Sequence, residues 1–289
     1  MMTPSPELVA LVFTLQPLEL PADREQYPQW WGRAAQAALL RAIQGFDPAL
    51  AERLHAEEGP RPYTVSTLMG SFAKGHRPLP EGRYRLRWTG LTAEVTAALL
   101  ACAAHAGETL LELDGVRFRV LEVADEAASP WGGRLRYSDL TSAFWSASPP
   151  PRRMGFQITS PLVFHSQGLS QPLPLPGWVF SSLLERWNAF APMALPEELR
   201  RFAETSLALS RFELRSRPVP FKQGGLRIGC VGQVMYTATH YDRFWLAPLH
   251  ALAAFARFAG IGAGTAQGLG QVRAFWPEQE TEQPEDTTA

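Results

Sequence analysis

Lysine is almost missing from this chain. Only Lys74 and Lys222 occur, so 25 of the 27 basic residues are arginine. Arginine presents a planar fork that matches phosphate oxygens and stacks on bases, which suits RNA, although a GC-rich genome produces the same bias. Cysteine is equally rare. Cys102 and Cys230 lie far apart in apolar stretches, which speaks against a disulfide and for small core residues in a reducing cytoplasm. Cys102 and His105 are a single isolated pair, too little for a zinc site, so neither metal nor cofactor is expected. No apolar run is long enough to span a membrane, and no basic segment precedes the apolar residues of 1–11. The sequence therefore reads as cytoplasmic, without membrane association. The Gly-Lys-Ser/Thr of a nucleotide phosphate loop is also missing,.

What is present fits an ordinary globular protein. The 289 residues, 46% of them hydrophobic, allow two domains with a core each. The formal net charge of −1 is unevenly spread. Residues 278–286 carry five carboxylates and no base, the composition of a disordered acidic tail. Without them the body is mildly basic, and nucleic-acid binding stays open.

Glycine is concentrated near the end. Gly260, Gly262, Gly264, Gly268 and Gly270 fall within eleven residues, after an apolar helical run and before a short strand-like run. A dinucleotide fingerprint needs strand, loop, helix; here the order is helix, loop, strand. Dense glycine lets a backbone adopt positive φ and press its N–H groups against an oxyanion. The expectation is a loop that contacts RNA phosphates; the competing reading is a tight helix-to-strand turn.

Periodicity organises the rest. Val9–Leu15 alternates as a strand, Tyr27–Ile43 has helical spacing, and Asp47 is a good N-cap for a second helix through Leu54,. Tyr63–Leu68 and Arg83–Trp88 read as strands, the latter with a cationic face of Arg83, Arg85 and Arg87. A helix opens at Thr92, and Thr109–Val123 makes one or two strands around Asp114-Gly115,. The three prolines of 146–153 mark a linker,. Beyond it the order recurs: strand 154–164, helix 178–190, extra helix 195–208, strands 212–221 and 226–237 around Lys222-Gln223-Gly224-Gly225, helix 244–259, and a last strand. Two β-α-β-β-α-β units imply an α+β chain of tandem ferredoxin-like (RRM-like) domains. The expected boundaries are 1–148, 149–277 with the glycine loop, and the tail 278–289.

Three features resemble the CRISPR precursor-RNA-processing endoribonucleases of the RAMP superfamily, the sixth Cas family. They are the Gly260-Ile261-Gly262 … Gly268-Leu269-Gly270 loop, the tandem order, and Leu54-His55 followed by Arg61-Pro62-Tyr63-Thr64-Val65-Ser66. The resemblance implies binding and cleavage of CRISPR repeat RNA in precursor crRNA. It implies metal-free chemistry in which the 2′-hydroxyl attacks, leaving a 2′,3′-cyclic phosphate and a 5′-hydroxyl. It also implies His55 as the catalytic histidine. Some members use a tyrosine and a lysine; no lysine closely follows His55, so Arg61 would supply the charge. By their residue type Tyr27, Tyr63 and Ser66 are candidates to support the site, against plain core or strand roles. Other Cas proteins of an effector complex, or a second copy of the chain, are further partners the resemblance allows.

From the residues alone, His76 in Lys74-Gly75-His76-Arg77 and His165 at a strand end rival His55. Candidate RNA contacts are Lys74 and His76, Arg152 and Arg153 in the linker, and Lys222 and Arg227 on a hairpin that can track a single strand,. A non-catalytic RAMP subunit that only binds guide RNA is the alternative; two tandem units count against it.

Overall fold

Twelve residues, Leu8–Glu19, form the strand (β1) on which the first sheet is built. Its side chains are buried continuously from Leu8 to Phe13, as expected for a strand covered on both faces. It pairs antiparallel with β3 (Tyr84–Gly90) on one side and β5 (Val116–Ala124) on the other. β2 (Tyr63–Val65) flanks β3, β4 (Leu110–Leu113) flanks β5, and β6 (Gly133–Leu135) adds to the start of β1. Helices α1 (Gly32–Phe46) and α3 (Ala93–Ala104) pack on this sheet through Ala35, Leu39, Val95 and Leu99. The order β2-β3-β1-β5, with these helices between strands, is that of a ferredoxin-like unit,. The chain is seen here in a computed structural model that describes residues 5–21, 24–108, 110–125, 129–145, 149–166, 168–220 and 225–277.

The second sheet repeats the arrangement. Its order is β10-β11-β7-β12, built from β7 (Arg153–Leu162), β10 (Leu207–Pro220), β11 (Leu226–Ala238) and β12 (Val272–Phe275). Helices α5 (Pro176–Phe190) and α7 (Arg243–Ala259) supply Phe180, Leu184, Leu252 and Phe255 to its core. The tandem ferredoxin-like fold read from the sequence is therefore present. Among the described residues no helix is long and apolar enough to cross a membrane.

Local chemistry explains the well-read boundaries. The Asp47 carboxylate accepts from the N–H of Leu50 at 2.9 Å and opens α2 (Pro48–Ala56),. Thr92 does the same for α3. Asp114 and Gly115 both take positive φ, 49° and 77°, the signature of a two-residue hairpin turn.

Several readings are corrected. The helix expected over 195–208 is only Leu199–Ser206 (α6), and β10 begins at once at Leu207 rather than at Phe212. Helix α4 (Tyr137–Trp145) and the hairpin of β8 (Phe164–Ser166) and β9 (Leu169–Gln171) were not anticipated. Tyr137 and Leu140 of α4 are buried in the second core, although they precede the linker. Of the proline linker, 146–148 lie outside the described residues and Arg153 already belongs to β7. The acidic tail and residues 221–224 also lie outside them.

The cationic face of β3 is the largest correction. Arg83 and Arg85 are exposed, but Arg87 is 3% exposed. The second unit covers it: Arg87 donates to Arg257 O and to Gln271 Oε1, and also to Trp131 O of the first unit. The seam continues along the edge of the first sheet, where the Thr64 and Thr89 hydroxyls donate to Phe258 O and Gln271 Nε2 donates to Val65 O.

Candidate active site

His55 lies in the last turn of α2 and is exposed. Arg61, six residues on, donates through Nη1 to Leu54 O at 2.8 Å. That bond satisfies a helix-end carbonyl and fixes the turn that carries the histidine. Tyr63, the first residue of β2, is fully buried, and its hydroxyl accepts from Gln36 Nε2 at 3.0 Å. Burial raises the phenol pKa above its ordinary value, so Tyr63 keeps its proton at neutral pH.

These three side chains line one open cavity of about 930 Å³. The wall opposite His55 is a face of α1 carrying Arg33, Gln36, Leu40 and Arg41, at helical spacing,. Arg41 is tied to Glu112 at 3.2 Å. Arg33 and Arg61 have no carboxylate partner among the described residues. The cavity thus combines an imidazole, a protonated phenol and two guanidinium groups not neutralised by a neighbouring acid. Among the described residues no three His, Cys, Asp or Glu side chains cluster closely enough to hold a metal ion.

Ser66 is not part of this constellation. It is 2% exposed; its hydroxyl accepts from Arg87 N–H and donates to Thr67 O. It borders a different cavity, of about 490 Å³, together with His76 and Arg85. His76, with φ of 56°, and exposed Lys74 sit in a short 3-10 turn on that side.

The glycine loop closes the site from the second unit, but not as a row of available amides. Gly260 N–H donates to Ala256 O, Gly262 N–H to Ser182 Oγ, and Gly270 N–H to Pro161 O. These three glycines are buried and their donors are committed within the protein, so the expected phosphate cradle is not built from them. Gly264, half-exposed, and Gly268 take the left-handed conformation around a 3-10 turn, Thr265–Gln267. Gly268 bridges to Ser66, and a Cβ there would meet Thr67 N at 2.8 Å. Gln267 O accepts from Trp30 Nε1 at 2.8 Å, and Gln267 lines the His55 cavity. The loop is a joint that seats the second unit on β2 and α1, and so fixes one end of that cavity.

The remaining candidates are scattered. Arg152 stacks on Tyr241 at 4.8 Å, and Arg153 pairs with Thr237 at the start of β7. The other end of β7, about 30 Å away for a strand of this length, is the one the glycine loop touches. Neither arginine reaches the cavity. Arg227 lies on β11 opposite Val219, and its charge, after burial, helps lower the pKa of His165. Lys222 lies outside the described residues. Arg33 and Gln36 were missed, since nothing in their local sequence marks them; they become candidates only when α1 is laid beside α2.

Residues 156–272 match the family model of the CRISPR-associated endoribonuclease Cas6. Over 162 residues, 55% of this chain, the sequence is 28% identical to the CRISPR-associated endoribonuclease Cas6 of Mycobacterium tuberculosis. That match spans about half the length of the curated relative. A solved Cas6 product complex is 27% identical, with a TM-score of 0.74 over 93% of this chain and 99% of the other. A second Cas6 product complex is 26% identical, with a TM-score of 0.78 over 94% and 100%. The chain is Cas6-like. Its likeness to Cas6 extends over both ferredoxin-like units, whereas the family-model match is confined to the second. The histidine cavity of this Cas6-like chain is bounded mainly by the first unit.

Proposed function

We propose that this chain is a metal-independent endoribonuclease that binds CRISPR repeat RNA and cuts precursor crRNA within the His55 cavity. The observation that carries the reading is the convergence of His55, Tyr63, Arg61 and Arg33 on one open cavity. In the proposed step, neutral His55 takes the proton of the 2′-hydroxyl as its oxygen bonds to the adjacent phosphorus. The guanidinium groups of Arg33 and Arg61 balance the charge that accumulates on the phosphorane oxygens. The bond from phosphorus to the 5′-oxygen then breaks, and that oxygen takes a proton from Tyr63 or from the imidazolium. The products are a 2′,3′-cyclic phosphate and a 5′-hydroxyl.

In this reading the first unit, 1–148, supplies the chemistry and the second, 149–277, closes the site through the glycine loop. The test is incubation of the protein with repeat RNA in excess EDTA, with the product ends analysed chemically. Cyclic-phosphate ends support the reading. Tight binding without cleavage selects an RNA-binding RAMP subunit instead.

A further inference from the structure

A third cavity, of about 420 Å³, opens beside the β8–β9 hairpin. It lies next to the His55 cavity. The α2–β2 connection gives His55 and Arg61 to one and Gly59 and Pro60 to the other; the glycine loop gives Gln267 to one and Gly262 to the other. The two cavities thus flank the same connection.

Its lining is unlike that of a packing void. Trp178 is half-buried and rests against Phe164 with ring centroids 5.8 Å apart. Arg186 forms the floor. Its guanidinium donates to Ser182 Oγ at 2.7 Å, Gly262 O at 2.6 Å and Thr265 Oγ1 at 3.2 Å. No carboxylate forms an ion pair with it among the described residues, although the Glu185 charge lies close enough to act on it. Burial pulls its pKa down only to about 10, so the floor stays positive at neutral pH. His165 and Arg200 stand on the walls, Arg200 also paired with Glu197 at 2.9 Å. Exposed Glu185 sits on the rim.

A bare anion would need neither the indole nor the rim carboxylate. An aromatic face, one carboxylate and a positive floor together match the parts of a nucleotide: base face, base amino edge and phosphate. We infer that this cavity is a subsite for one unpaired nucleotide next to the cut, its base stacked on Trp178 and its amino group accepted by Glu185, with the phosphate facing the positive floor of Arg186 and the Arg200 wall. The inference rests on the proposed endoribonuclease reading and names a specificity element for it. Uracil, which has no exocyclic amino group, is disfavoured at this position.

The test uses repeat RNAs that each carry one 2-aminopurine near the cut, bound to the full chain in EDTA. One position should be strongly quenched by stacking. Trp178→Leu should abolish that quenching and weaken binding about tenfold, the usual effect of losing one stacked base. Glu185 is on the exposed rim, so Glu185→Gln should fold normally. It should erase the preference for an amino-bearing base over uracil at the quenched position while the quenching remains. If no position is quenched, or if Glu185→Gln leaves base preference as in the parent, the subsite is overturned even where the parent cuts RNA. A parent that neither binds nor cuts repeat RNA overturns the wider reading, and the subsite with it.

Discussion

Arg87 and Gln271 lie in different ferredoxin-like units, yet their side chains meet at 2.8 Å in the buried seam. Gln271 then passes the contact on, its Nε2 donating to Val65 O at 3.2 Å. One amide thus joins β3, β2 and the start of β12. Burial and the nearby Arg257 charge lower the Arg87 pKa to about 9, still above neutrality. The charge is kept because three acceptors surround it.

Replacing that guanidinium should therefore destabilise the protein. Arg87→Met leaves the carbonyls of residues 131 and 257 without this donor, at roughly 1–3 kcal/mol for each buried acceptor. Urea unfolding should show a loss of about 3 kcal/mol. An unchanged midpoint would mean that the seam is held by other contacts.

The glycine loop makes a related prediction. A side chain at Gly270, where φ is 63°, would place Cβ 1.9 Å from Ile261 O; at Gly268, where φ is 89°, it would meet Thr67 N at 2.8 Å. Gly268→Val should therefore cost more than the ~1 kcal/mol of left-handed strain alone, with near-normal RNA affinity in the fraction that folds. Normal stability with lost RNA binding would restore the phosphate cradle.

His250 is fully buried, and its Nδ1 accepts from Trp276 Nε1 at 2.7 Å. An indole N–H can only donate, so the ring proton sits on Nε2 and is donated to Pro151 O at 2.8 Å,. Burial pulls the pKa from 6.5 down to about 4. The unfolded chain then takes up this proton first as pH falls. Stability should be intact above pH 6.5 and decline between 6.5 and about 4, by up to about 3 kcal/mol from this group. His250→Gln keeps a donor and an acceptor without titrating, so its unfolding midpoint should depend less steeply on pH. An identical pH profile would contradict the assignment.

Tyr63 is expected to work as a proton donor. Tyr63→Phe removes the hydroxyl but leaves the ring packed, so stability should change little. Single-turnover cleavage should slow by on the order of a hundredfold, as for other lost transition-state donors. A rate within a few-fold of the parent would confine Tyr63 to packing.

Much of this architecture was legible, because hydrophobic period reports directly on which face is covered. α1 follows that rule. Arg87 does not, since alternation along β3 cannot reveal that a second unit lies over its polar face. Short α4 was missed because its two buried apolar residues, Tyr137 and Leu140, complete a core that belongs mostly to later sequence. Positive φ in the glycine loop was readable from composition, but not that its amides would meet Pro161 and Ser182 rather than phosphate. Likewise His55 stood out through its resemblance to a family pattern, while Arg33 and Gln36 depend on how α1 lies against α2.

The central claim is that His55 moves the proton in a reaction of the RNA with itself. It is tested most directly by single-turnover cleavage of repeat RNA in excess EDTA, comparing the parent with His55→Ala and measuring affinity on both. The account predicts cleavage by the parent and a loss of at least ~100-fold in the variant, the usual range for a general acid–base residue, with affinity within a few-fold. Undiminished cleavage by His55→Ala would contradict it and shift the chemistry to His76 or His165.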